Sequence, residues 1–426
     1  MLVYLICYAA AYLFSRAGAF LLSGAALMFA AAVLFAEDMR GPGLNVRLRA
    51  LFSLSFVGGQ GVSALKLSNL QVPWETETWV VLFLAYTVFW LVFEWLKARS
   101  GGVPQNGRAE RMYPIRGKRL LISIVGITAL SWAAFLLEAV LLGFVPLFMR
   151  GVPHAYSYFH VSGVHYFTVS CCLVPAFAVV WHETARSPRP AEKKAVYASV
   201  ILSFLVPLLC VSRFQLILAA LLAFVTFLVM ERGHVPGWSA AVLVLCLVPL
   251  YVILSVARSH SVEYLNGIFE MKARFPIFIS QPYIYIANNY DNLNCLIRDL
   301  PAHTHGVRIL YPVWGLTGLK FVFPGLVSSP LYVTKTELTT LTLFYDAWYD
   351  FGTPGVVAFS ALLGAVSFRL ERMLYEMHHP VISVLYAEFA VYLSLAFFTT
   401  WFSNPATWFY FAATLAVILF TGGGRR

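Results

Sequence analysis

Hydrophobic residues in this chain fall in long uninterrupted blocks bounded by charged residues, proline or glycine, not at strand or amphipathic-helix intervals. A block of roughly 17 to 25 apolar residues is the length that crosses a bilayer as a helix. The predicted spans cover residues 2–14, 17–36, 50–68, 78–96, 120–147, 164–181, 195–211, 214–230, 236–257, 343–368, 381–400 and 405–421. They number about twelve, or about eleven if the short first block merges with the second. One interruption breaks the series, because residues 258–340 contain no spanning block. That stretch holds Arg258, Lys272, Arg274, Arg298, Arg308, Lys320 and Lys335, interleaved with Tyr264, Tyr283, Tyr285, Tyr290, Tyr311, Trp314 and Tyr332. Long loops in compact proteins are usually functional. This one pairs cations suited to anionic groups with aromatic faces suited to sugar rings or lipid headgroups, and its apolar pieces 275–279 and 321–327 predict re-entrant or interfacial segments. The chain thus divides into N-terminal membrane helices (1–257), a large outward loop (258–342) and C-terminal membrane helices (343–426).

Composition agrees: 60% of residues are hydrophobic, 12% are charged and the mean hydropathy is +0.75, values of a polytopic all-α membrane protein. The net charge of +10 is mostly topological. Cytoplasmic links retain Lys and Arg. The link 97–119 carries Lys97, Arg99, Arg108, Arg111, Arg116, Lys118 and Arg119, and the link 183–194 carries Arg186, Arg189, Lys193 and Lys194. Both links, and by counting both termini, are expected in the cytoplasm, and nucleic acid is not an expected partner. The rule leaves Arg16, Arg150, Arg213, Arg258, Arg274, Arg298 and Arg308 unexplained on the opposite side. Guanidinium forks match phosphate oxygens in pairs, so such a cluster suits a diphosphate.

No cleavable leader pattern opens the chain, so the first block is expected to stay as a helix. The six cysteines fall nearly all within spans and form no disulfide framework. Histidine spacings fit no zinc pattern, so neither a metal nor another cofactor is expected.

At the junction of the loop and the next span stands YDAWYDFGTPG, residues 345–355. Asp346 and Asp350 are four apart and share a face if the segment is helical. Carboxylates at a membrane boundary are costly unless paired or solvated, which marks them as functional candidates; the plainer alternative is helix N-capping. Gly352, Pro354 and Gly355 would loosen the helix just beyond.

Several strings occur in a telling order: Ser212-Arg213 ahead of a hydrophobic helix, Ala257-Arg258, ANNYDNL from Ala287, HTHGVRILYP from His303, and Thr336, Thr339, Thr340 and Thr342 ahead of the 345–355 string. This order resembles the Wzy-type O-antigen polymerases, the oligosaccharide repeat-unit polymerase family. Such proteins have a Ser-Arg before a helix, a long outer loop and a Tyr-x-Asp-Phe-Gly element. Here Trp348, Tyr349, Asp350, Phe351 and Gly352 supply that element, with Trp348 where the family usually has Tyr. The resemblance implies a GT-C-like fold in the bacterial inner membrane. It also implies a glycosyltransferase activity that joins undecaprenyl-diphosphate-linked oligosaccharides on the outer face. The partners would be that lipid-linked oligosaccharide, membrane lipid and a chain-length regulator protein.

The chemistry asks for positive charge on the departing diphosphate, assigned to Arg213, Arg258 and Arg308 with Arg274 and Arg298 next. It asks for a general base on the acceptor hydroxyl, for which Asp350 leads, followed by His305 and Asp291. It also asks for aromatic platforms under the sugars, for which Tyr290, Tyr311 and Trp314 are available. Each has a plainer role: arginines snorkel, the asparagines around Asp291 build turns and caps, and aromatics form an interfacial belt. Two other functions use the same features. One is an O-antigen ligase or related lipid-diphosphate sugar transferase. The other is a flippase or transporter of lipid-linked sugars, for which the intramembrane acids Glu138 and Glu388 speak.

Overall fold

The computed structural model describes residues 1–40, 44–101, 117–149, 155–185, 187–231, 262–327, 329–376 and 379–422. It is all-helical, with no strand among the described residues beyond a single bridge between Ser68 and Met271. Helices occur at each predicted span except 236–257, which lies outside the described residues. Six of those described are long and apolar enough to cross a membrane: Phe20–Met39, Thr76–Arg99, Gly117–Leu142, Val164–Thr184, Arg213–Met230 and Tyr345–Leu374. Leu2–Arg16, Ile382–Ser394 and Pro405–Thr421 are shorter apolar helices.

The chain forms two compact units, each assembled from separated stretches. The first comprises Met1–Gln105, Ser261–Arg372 and Tyr392–Trp408; the second comprises Asn106–His260, Met373–Val391 and Phe409–Arg426.

Small residues bring backbones together in the first unit. A Cβ on Gly24 would lie 2.7 Å from the Gly61 carbonyl, and one on Gly61 would lie 2.8 Å from the Met28 nitrogen. Phe20–Met39 and Gly58–Ala64 therefore pack main chain to main chain, the device membrane helices use where burial from water offers no driving force. Between Leu48–Phe52 and Gly58–Ala64 the chain makes a π-helical turn at Ser53–Val57. Its Ser55 hydroxyl donates to the Leu393 carbonyl at 2.5 Å. Rings of Phe52, Phe56, Phe89 and Phe344 fill the adjoining core.

The principal departure from the sequence expectation lies inside the supposed loop. Ile277–Asp299 is a 23-residue helix, about 35 Å long at 1.5 Å per residue. Its second half is polar yet buried: Asn288, Asn289, Asp291, Asn292 and Asn294 are all within 1% of full burial. Every one is bonded. Asn292 Nδ2 donates to the Leu338 and Thr340 carbonyls at 2.8 Å each, while its Oδ1 accepts the Thr334 N–H at 2.8 Å. Asn289 Nδ2 donates to the Phe397 carbonyl at 2.6 Å. Asn294 Oδ1 accepts the Glu75 N–H at 2.8 Å and the Thr78 hydroxyl at 2.7 Å. These side chains are not turn-builders; they fasten the 334–340 segment and its neighbours to one central helix, satisfying backbone groups whose burial would otherwise be costly.

In the second unit, buried Glu138 accepts the Val161 N–H at 2.9 Å and the Thr168 hydroxyl at 2.7 Å, and sits 3.1 Å from His165 Nδ1. Glu388, also buried, accepts the Thr414 hydroxyl. The first of the two intramembrane acids thus braces helices as a hydrogen-bonded anchor.

Candidate functional site

The functional candidates of the first unit gather where Tyr345–Glu376 begins. Gly352 has φ 62° and ψ −152°, which breaks this helix after its second turn. That conformation is essentially closed to residues with a Cβ. Two residues on, Pro354 has no N–H to give, so the Asp350 carbonyl four residues earlier has no helical partner. It accepts the His305 N–H at 3.0 Å instead. His303 Nδ1 likewise donates to the Tyr349 carbonyl at 3.2 Å, and its ring meets Trp348 edge-on at 5.2 Å. The DFGTP string is thus a dock for the 303–309 loop.

The Asp350 carboxylate completes the dock. It is fully buried and accepts the backbone N–H of Ile309 at 2.7 Å, that of Arg308 at 3.1 Å and the Thr304 hydroxyl. A carboxylate held by several donors, two of them backbone, is a charge-assisted clasp. His305, the second candidate base, is exposed and left-handed at φ 53°, at the bend of this loop.

What the clasp presents is Arg308. Its Nε donates to Asp346 Oδ1 at 2.6 Å, and its guanidinium lies 4.7 Å from the Tyr349 ring centroid and 5.6 Å from that of Tyr345. The side chains of Arg308 and Asp346 are 15% and 4% exposed. Burial disfavours the charged guanidinium, but the adjacent Asp346 carboxylate outweighs it and the arginine's pKa is raised. Both residues line a cavity of about 240 Å3 together with Val307, Tyr311, Leu326, Val327, Ser329, Thr400 and Ser403. Thr400 and Ser403 come from the break between Ile382–Ser394 and Pro405–Thr421, where Trp401–Ser403 forms a single 3₁₀ turn. That turn is pinned by Trp401 Nε1 donating to the Leu395 carbonyl at 3.0 Å. The cavity therefore offers a cation, a carboxylate, hydroxyls and the Tyr311 ring within one polar recess.

The remaining candidates sit elsewhere. Asp291 is the centre of a buried polar knot: its carboxylate accepts from Lys66 Nζ, from Gln71 Nε2 at 2.6 Å, from Trp74 Nε1 at 2.9 Å and from the Ser63 hydroxyl at 3.1 Å. Its side chain and that of Lys66 are 1% and 2% exposed, and Lys66 Nζ lies 4.4 Å from the centroid of the Trp74 ring. Asp291 is a buried structural ion-pair partner in this arrangement and has no free lone pair left for an acceptor hydroxyl. Tyr290 is fully buried, with its hydroxyl donating to the Phe56 carbonyl at 2.8 Å, and presents no ring face to a sugar. Arg298 is exposed and forms a two-pronged pair with its neighbour Asp299 at 2.7 and 2.8 Å. Arg274 is exposed ahead of Ile277–Asp299. Trp314 donates to the Val307 carbonyl at 3.2 Å and so stays with the Arg308 loop. Arg213 belongs to the second unit, where it opens Arg213–Met230 with Ser212 at the N-cap. Arg258 lies outside the described residues.

Of the candidates, Arg308, Asp350, His305, Tyr311 and Trp314 come together around one loop. Asp346, the other boundary carboxylate, joins them, as do Thr400 and Ser403, which the sequence did not single out. A signal for the last two exists in the string TTWFSNP, residues 399–405, a polar break between two apolar blocks. No family model, no curated protein and no solved structure matches this chain.

Proposed function

We propose that this protein is a glycosyltransferase of the bacterial inner membrane that polymerises undecaprenyl-diphosphate-linked oligosaccharide repeat units at the outer face. Its chain would cross the membrane about twelve times in a GT-C-like arrangement with both termini in the cytoplasm. The observation that carries this reading is the cavity beside Arg308. At about 240 Å3 it is smaller than the roughly 300–1,000 Å3 of sites that enclose a whole drug-sized ligand. It suits a charged headgroup, with sugar and lipid extending outside. A guanidinium held over two tyrosine rings, in a cavity that Thr400 and Ser403 also line, provides for a departing diphosphate what catalysis at phosphate requires: charge fixed in place before the bond breaks. Arg213 and Arg258 are the further arginines this reading enlists.

The test uses purified protein with one synthetic lipid-diphosphate oligosaccharide and no nucleotide sugar, followed by mass analysis. A ladder of products longer by whole repeats is expected. Unchanged substrate in the presence of measurable binding would refute polymerisation and favour a ligase or a transporter of the same lipid.

A further inference from the structure

Asp350, Asp291 and Asp346 are buried acids of the first unit, and their hydrogen bonds separate them. Asp350 is saturated by Thr304 and the backbone of Arg308 and Ile309. Asp291 is saturated by Lys66, Gln71, Trp74 and Ser63. Asp346 lines the cavity, and among the described residues the one hydrogen bond its carboxylate accepts is from Arg308 Nε. We propose that Asp346 is the general base of the transfer reaction, held idle by Arg308 in the empty site and released when a lipid diphosphate takes that arginine as its own partner. This rests on the glycosyltransferase reading above and assigns it a base other than Asp350.

The contact geometry makes the exchange reasonable. The pair is joined through one N–H···O bond at 2.6 Å, not through the two-pronged fork that a guanidinium makes at its strongest. A diphosphate offers several oxygens and at least two negative charges to the same guanidinium. The Tyr345 and Tyr349 rings hold Arg308 in place whichever anion it faces. While the cavity is empty the pair leaves no uncompensated buried charge, which would be expensive. When the diphosphate arrives, the lone pairs of Asp346 engaged by Nε–H become available beside Thr400 and Ser403. The acceptor sugar hydroxyl then attacks the anomeric carbon. A new C–O bond forms there, the bond from that carbon to the diphosphate oxygen breaks, the hydroxyl proton passes to Asp346, and the electron pair leaves with the diphosphate on Arg308.

Binding and turnover separate this from a scaffolding role. The full chain in lipid nanodiscs would be measured for affinity toward undecaprenyl diphosphate bearing no sugar, and for turnover of a lipid-diphosphate oligosaccharide. Asp346→Asn should bind undecaprenyl diphosphate as tightly as the unmodified chain or several-fold more tightly, since a competitor for Arg308 is removed. Its turnover should fall by about 10²- to 10⁴-fold, the usual contribution of a general base. Asp346→Glu should restore part of that turnover, and Arg308→Ala should lose binding. Ordinary turnover in Asp346→Asn, or binding weakened as much as in Arg308→Ala, would overturn the base assignment and leave the polymerase reading standing. No turnover by the unmodified chain with tight binding intact would remove both.

Discussion

Replacing Asp350 by Asn tests whether this carboxylate is a clasp. It accepts the N–H groups of Arg308 and Ile309 and the Thr304 hydroxyl inside a fully buried site. An amide keeps one acceptor oxygen and turns an NH2 toward groups that are themselves donors. Of the three donor groups, about two lose their partner or their charge assistance, at roughly 1.5–3 kcal/mol each. The local cost is then on the order of 3–6 kcal/mol, limited by the freedom of the 303–309 loop to undock while the helices stay folded. Because 1.36 kcal/mol is tenfold, even the lower figure corresponds to roughly a 150-fold loss of protection at the clasped amides. Hydrogen exchange by mass spectrometry on the protein in nanodiscs reads this directly. Peptides covering 304–309 should exchange about two orders of magnitude faster, while those of Thr76–Arg99 keep their rates. Unaltered protection at 308 and 309 would refute the clasp and return Asp350 to direct chemistry.

Gly352→Ala should destabilise the first unit by about 1–3 kcal/mol from backbone strain alone, and His303→Ala in the same chain should not rescue it, although a Cβ at 352 would sit 2.9 Å from His303 Nε2; rescue would assign the cost to the contact. Lys66→Met, which leaves the Asp291 carboxylate buried with three neutral donors, should cost about 3 kcal/mol in a denaturation series, and Asp291→Leu should cost more because four donors lose their acceptor; the reverse order would show that Lys66, not Asp291, is the centre. Tyr290→Phe removes one buried hydrogen bond and should cost about 1 kcal/mol with product length unchanged; shortened polymer at unaltered stability would put Tyr290 at the sugar. Arg298→Ala should leave both stability and turnover within experimental error, as expected of an exposed pair.

The apolar blocks were legible because a span announces itself by length alone, and the helices at 78–96, 214–230 and 405–421 fall where hydropathy puts them. Ile277–Asp299 was not, for a physical reason. Pattern analysis assumes that buried positions are apolar, whereas here buried asparagines meet backbone groups of other segments. Every position from Ala287 to Ile297 is buried, so no 3.6-residue alternation marks the helix, and ANNYDNLN has the composition of a turn. The site was half legible. A four-residue spacing puts Asp346 and Asp350 on a shared helix face, but which one meets a guanidinium and which one meets backbone amides depends on the 303–309 loop, some forty residues away in sequence. Likewise Pro354 signalled a weakened helix, and only the docked loop reveals that the freed Asp350 carbonyl is put to use.

The way Asn292 holds its neighbours has an evolutionary consequence. Its amide holds the carbonyls of Leu338 and Thr340 and the N–H of Thr334, main-chain atoms that every residue carries, except for the N–H that proline lacks, while the Thr334 and Thr340 hydroxyls add side-chain bonds to Asn288, Asn292 and Asn289. Thr336, Glu337 and Thr339, exposed between these bonds, can therefore exchange their side chains without the segment surrendering its path. A frame that grips much of this stretch through its backbone leaves those three positions open to drift and selection, so chains of this architecture could diversify what they recognise while keeping the same asparagine helix beneath.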